Sequence, residues 1–242
     1  MSPDRRSFLT SAAAGVLFIG CSSSSGSPGG SPATPGQPAG KPSGDRSEAS
    51  GEDEVTPVED LMREHGVLRR VMYLYDDAAL RLDGRREVPL DALAACAAIV
   101  RRVIEDYHEK LEEEFLFPRY EKAGKLADLT AVLRRQHERG RVVTDQIVAL
   151  AKAPLADADR AKLAAVLRSF NHMYQAHASR EDTVLFPLLR GLVSKHEYEE
   201  LGDQFEDKEK QMLGDHGFEH AVDEVARLEQ AFGLDDLAKL TA

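Results

Sequence analysis

From Thr56 onward apolar residues recur every three or four positions, and no stretch alternates residue by residue, so the pattern predicts helices and no sheet. Thr56-Pro57-Val58-Glu59 is a capping box with proline at the first helical position, and it predicts a first helix running to about Asp83 and stopped by Gly84. A second helix is predicted from near Pro89 to about Phe117, with Pro118 ending or kinking it. A third covers about Lys125 to Lys152, and a fourth starts near Asp157 and reaches Pro187 or slightly beyond. A fifth begins at a second capping box, Ser194-Lys195-His196-Glu197, and ends near Gly233. Short connections make neighbours antiparallel. The predicted fold is therefore all-α: an up-down-up-down four-helix bundle over 56–191, with an additional C-terminal helix within 192–242.

The helices carry an internal repeat. His108-x-x-x-Glu112 is followed by Leu116-Phe117-Pro118, and His177-x-x-x-Glu181 by Leu185-Phe186-Pro187. A lone histidine precedes each copy: His65, four residues after Leu61, and His137, four after Leu133. Helices one and two thus read as a duplicate of helices three and four.

The i, i+4 spacing puts His108 with Glu112, and His177 with Glu181, on one helix face. That face is apolar: Leu93, Ala97, Val100 and Ile104 lead up to His108, and Leu163, Leu167, Phe170 and Tyr174 to His177. On the first helix His65 sits among Leu61, Leu68 and Met72. Counting from the helix ends places all four histidines at one level, roughly 12–18 Å into the bundle. One histidine on an apolar stripe is ordinarily a satisfied core residue, but six such groups at one level would strand charge in the core. A bound cation removes that conflict. Imidazole suits iron and zinc, six ligands exceed one tetrahedral zinc, and two facing carboxylates can bridge two irons.

This pattern, His…His-x-x-x-Glu…His…His-x-x-x-Glu with both Leu-Phe-Pro tails, resembles the hemerythrin HHE cation-binding family over about Thr56 to Gly191. The resemblance implies an oxo- or hydroxo-bridged di-iron centre with His65, His108, His137 and His177 as terminal ligands and Glu112 and Glu181 as bridges. It also implies a small diatomic or peroxide ligand. Oxygen-carrying hemerythrins have a further histidine one turn from the third-helix ligand, where this chain has Arg141 and Leu133. The ligand set is closer to that of bacterial di-iron repair proteins and of iron and oxygen sensors. The function expected is a non-haem di-iron protein that binds, senses or reacts with O2, NO or peroxide in the cell envelope. The alternative is an iron-binding, storage or iron-responsive module without redox turnover. No residue pattern chooses between binder, sensor and enzyme.

Other residues carry narrower expectations. Tyr174, one turn before His177, reads as a core tyrosine with a satisfied hydroxyl, and Glu105 as a surface partner of Arg101. Glu109, adjacent to His108, is expected to point away from the site. Gly140 and Thr144 stand where the first half has Leu68 and Met72, which predicts a pocket widened on the third-helix side; Gly140→Leu should then slow ligand access. His216 and His220 are spaced i, i+4, but flanking Gly214 and Gly217 suggest a bend and a surface role. His172 faces away from His177, His196 lies at an exposed helix start, and Cys96 reads as a small core residue.

Composition narrows the classes further. A net charge of −11 over 242 residues disfavours binding to a nucleic-acid backbone. No apolar run reaches the ~20 residues of a membrane-crossing helix. Asp4-Arg5-Arg6-Ser7-Phe8-Leu9-Thr10 resembles a twin-arginine export motif, and Phe18-Ile19-Gly20-Cys21 a lipoprotein cleavage box. Residues 1–21 are thus read as a signal peptide and 22–55, rich in Ser, Gly and Pro, as a disordered tether. The expected location is the cell envelope, with membrane attachment through a lipidated Cys21 alone.

Overall fold

The computed structural model describes residues 55–152 and 154–241, so the expected signal peptide, Cys21 and all but the end of the expected tether lie outside the described residues. The described chain is helical, without strands. Helix α1 is Pro57–Asp83. Helix α2 runs over 90–122, α3 is Ala127–Leu150 and α4 runs over 157–189. Helices α5 (Lys195–Leu213) and α6 (Gly217–Phe232) follow, and a single 3-10 turn, Leu237–Leu240, comes last. Both expected N-caps form: Glu59 N–H donates to Thr56 Oγ1 and Glu197 N–H to Ser194 Oγ, each at 3.2 Å.

Two boundaries differ from expectation. Pro118 does not end α2 but sits in the first turn of a further α-helical segment, Phe117–Lys122; Pro187 sits likewise in Phe186–Leu189, so α4 runs slightly beyond Pro187 as expected. A proline is tolerated there because the turn before it has already widened. The expected fifth helix is two helices, since Gly214 (φ 84°) and His216 (φ 59°) both adopt conformations no helix continues through. Gly217 is required by contact: a Cβ there would lie 2.3 Å from Leu213 Cβ.

Helices α1 to α4 form the bundle, with α1 packed most extensively on α4, and α3 on α4. Helices α5 and α6 pack on α1 and α2. Arg70 of α1 holds Glu229 of α6 through two hydrogen bonds of 2.7 and 2.6 Å. Buried apolar residues form two clusters. One contains Leu68, Met72, Cys96, Ile104, Val143 and Tyr174; the other contains Leu61, Leu111, Phe117, Leu133, Leu185 and Phe186. His65, His108, His137 and His177 each fall between members of the two clusters along their own helix, so the polar layer is sandwiched by apolar cores. Cys96 is fully buried, and burial pushes its thiol up to about 12. Among the described residues no helix is long and apolar enough to cross a membrane.

Candidate metal centre

The backbone prepares the layer. Proline has no N–H, so Pro118 and Pro187 cannot close an ordinary turn behind them. Instead Phe117 N–H donates to the Glu112 carbonyl and Phe186 N–H to the Glu181 carbonyl, an i→i−5 bond in each case. Glu112–Leu116 and Glu181–Leu185 are therefore π-helical turns, a geometry that concentrates at functional sites. They also present the phenylalanines. Phe186 stacks on His65 and Phe117 on His137, both with centroids 5.6 Å apart and planes 22° apart.

All six sequence-predicted residues, His65, His108, Glu112, His137, His177 and Glu181, are buried and meet in one layer. Ligating atoms of Glu112, His137, His177 and Glu181 lie within 4.8 Å of one another, as do those of His65, His108 and Glu181. Glu181 approaches His177 Nε2 at 3.0 Å and His65 Nε2 at 3.4 Å. Glu112 approaches His137 Nε2 at 3.4 Å and His108 Nε2 at 3.8 Å. Each carboxylate therefore reaches one histidine from each repeat.

Every imidazole is oriented through its other nitrogen. His65 Nδ1 lies 2.7 Å from Asp182, His108 Nδ1 2.7 Å from Glu64, His137 Nδ1 3.0 Å from Glu113 and His177 Nδ1 2.9 Å from Gln136 Oε1. Since each acceptor is an oxygen, Nδ1–H donates and Nε2 is the nitrogen left facing inward. Each histidine donates to a different helix: α1 to α4, α2 to α1, α3 to α2, and α4 to α3. The four bonds close a ring around the bundle.

The repeat extends to these supports. The acceptors are the residue after each bridging glutamate, Glu113 or Asp182, and the residue before each lone histidine, Glu64 or Gln136. Four residues beyond each lone histidine an arginine holds one of them: Arg69 bonds Asp182, and Arg141 bonds Glu113 at 2.8 Å. The ligand motif alone did not reveal these six supports. Aligning the two copies residue by residue would have exposed all but the exchange of Glu64 for Gln136.

The donor set fits a cation. None of the four carboxylate oxygens of Glu112 and Glu181, nor His108 Nε2, makes a hydrogen bond, although all are buried. His137 Nε2 and His177 Nε2 face each other at 3.2 Å. Without a cation the layer carries opposed charges. Burial and the Glu181 charge push Glu112 well above the usual carboxylate range. Glu181 is also opposed by burial, but His177 and His65 hold it below that range. Burial likewise opposes charge on His65, yet Asp182 and Glu181 raise it to about 9. Burial takes His137 down to about 4, and only partly does Glu113 resist.

The surroundings correct two expectations. Gly140 does not open a pocket: a Cβ there would fall 1.9 Å from the Tyr174 hydroxyl, which fills the space. That hydroxyl donates to Glu109 Oε1 at 2.7 Å, so Tyr174 is the satisfied core tyrosine expected. Glu109, expected to point off the site face, is buried there: it pairs with Arg141 at 2.7 Å, and burial raises it to about 8. Glu105 does pair with Arg101, at 2.8 Å, but as a buried residue that also accepts from Thr144 Oγ1 at 2.5 Å. His216 is half-buried and His220 exposed, with ring centroids 6.5 Å apart. His172 is exposed, and His196 is exposed beside Glu200.

A family model described as Hemerythrin HHE cation binding domain matches residues 56–189 and, in an overlapping register, 131–232. The chain is also similar to uncharacterized proteins of Mycobacterium bovis and of two strains of Mycobacterium tuberculosis. Each is 42% identical over 237 residues, covering 96% of this chain and 88% of the relative.

Proposed function

The chain belongs to the hemerythrin HHE cation-binding domain family, and from that premise we propose that it holds two iron ions and binds, senses or reacts with a small oxidant. The observation that carries this reading is the inward convergence of four oriented imidazoles on two buried carboxylates whose oxygens make no hydrogen bond. His65 and His108 would hold one ion and His137 and His177 the other, with Glu112 and Glu181 shared. When bound, such a pair supplies redox chemistry and open coordination positions for O2, NO or peroxide. The chain's own residues do the rest. Asp182, Glu64, Glu113 and Gln136 fix the rings, Phe117 and Phe186 brace two of them, and the apolar cores on either side keep bulk water away. The twin-arginine-like segment and Cys21 support a location in the cell envelope, tethered to the membrane.

Metal content and the optical spectrum of the purified chain test this reading, first without oxygen and then in air. The expected result is about two irons per chain and a charge-transfer absorption that appears in air and is absent from His108→Ala. Iron without any response to air would favour a storage or iron-responsive module. A folded chain that takes up no iron would overturn the reading.

A further inference from the structure

We propose that a small neutral ligand reaches the centre through the cleft between α1 and α4, and that Met72 is the gate whose size and motion decide what passes. This inference rests on the metal-centre reading above. The four seams of the bundle are closed in different ways. The α1/α2 seam lies under α5 and α6, which pack on both helices. The α2/α3 seam is filled by the ion pairs of Arg101 with Glu105 and of Arg141 with Glu109 and Glu113, and the Tyr174 hydroxyl takes the space beside Gly140. Passage there would break buried pairs, at high cost. Across α3/α4, Gln136 is bonded to His177. The α1/α4 seam instead carries a cleft of about 280 Å3, whose walls include Arg69, Met72, Asn171, Tyr174 and Ala178.

These walls meet the centre at three points. Arg69 bonds Asp182, which holds His65. Tyr174 stands edge-on to His177, with ring centroids 5.6 Å apart. Ala178 follows His177 in the chain. The floor formed by Met72, Tyr174 and Ala178 is buried and uncharged, so it admits a neutral molecule and rejects a hydrated ion. Most of the cleft is fixed. Asn171 Nδ2 donates to the Met72 carbonyl and to Asp76 Oδ1, both at 2.7 Å, which ties α4 to α1. The Tyr174 hydroxyl is anchored on Glu109, and Ala178 has no rotamers. Met72 is the adaptable member of the floor: its side chain is unbranched, and it is 8% exposed against 0% for Tyr174 and 2% for Ala178. A rotamer change at Met72 opens the floor without moving either helix. Its repeat counterpart, Thr144, has no such freedom, because its hydroxyl is bonded to Glu105 at 2.5 Å.

Two measurements on the full chain test the route. The first is methyl NMR of the metal-free chain under xenon, an apolar atom that enters dry cavities. Xenon should shift the Met72 and Ala178 methyl resonances and leave that of Thr144 in place. The second is stopped-flow association of NO with the reduced, iron-loaded chain. Met72→Ala should raise the rate by about tenfold and Ala178→Val should lower it by about tenfold, whereas Thr144→Ala should leave it within about twofold. Xenon shifts at Thr144 alone, or at none of the three methyls, would overturn the route while leaving the centre intact. So would an NO rate indifferent to both Met72→Ala and Ala178→Val in folded, iron-loaded variants. A chain that takes up no iron would overturn the centre and the inference together.

Discussion

The α1/α4 seam and the α2/α3 seam flank the same six residues at equivalent positions of the repeat, yet they are built from opposite materials. Along α1/α4 stand Leu68, Met72 and Ala178, with a surface cleft lined by Arg69, Met72, Tyr73, Asn171 and Tyr174. Their counterparts along α2/α3 are Gly140, Thr144 and Glu109. There Arg101, Glu105, Glu109, Glu113 and Arg141 form a largely buried ionic network closed by Tyr174 from α4. The ligands and the geometry of their supports are common to both halves. What differs is how each seam is filled, and every buried carboxylate of the polar seam has a cation or hydroxyl beside it. A duplicated site can therefore keep one coordination geometry while its two approaches diverge, provided no charge is stranded.

Substitutions at equivalent positions can break this contrast. The largest effect should come from Arg141→Ala, which strands Glu109 and part of Glu113, and should lower the unfolding free energy by about 3 kcal/mol in urea denaturation. Its repeat counterpart Arg69→Ala removes a half-exposed partner and should cost less than about 1 kcal/mol. Similar costs would mean that the seams do not differ energetically. Gly140→Ala should come next, at about 2 kcal/mol, because Tyr174 must leave its place. An unaffected unfolding midpoint would show that the tyrosine moves freely.

The pH dependence of metal uptake follows in size. In the metal-free chain His65 is held up to about 9 and His137 down to about 4, so below pH 9 the cation must displace a proton from the α1 ring and not from the α3 ring. Glu112, held well above the usual carboxylate range, also gives up a proton, so apparent Co2+ affinity should rise by at least about tenfold per pH unit between pH 6 and 8. A flat profile between pH 6 and 8 would contradict that charge assignment. Tyr174→Phe should cost about 1 kcal/mol, from the lost hydrogen bond to Glu109. A gain in stability would show that the hydroxyl is held at a cost.

The four-helix bundle, the repeat and the six converging side chains were legible because they depend on spacing along regular helices. The polar seam was not, and the reason is physical. Val100–His108 is π-helical, and its wider turns carry α2 out of step with a 3.6-residue wheel. Adjacency to His108 places Glu109 off the site face but does not say what covers that face; in the structure Arg141 and Tyr174 do. Helix α4 stays α-helical through Asp157–Arg180, and there the expectation for Tyr174 held. Gly140 failed differently: a missing side chain marks space without saying what occupies it. The split of the last helix was visible only as a bend, since Gly214 and Gly217 signal a break but not that His216 takes a left-handed conformation.

The ring of imidazole bonds has a mechanical meaning beyond orienting the imidazoles. Because it runs α1 to α4 to α3 to α2 and back to α1, each helix is both giver and receiver, and the circuit works as a hoop around the waist of the bundle. Sliding any one helix by a residue would unfasten two links at once. The hoop therefore sets the vertical register of four rods that apolar packing alone would let drift. It does so with parts already in place before any ion arrives.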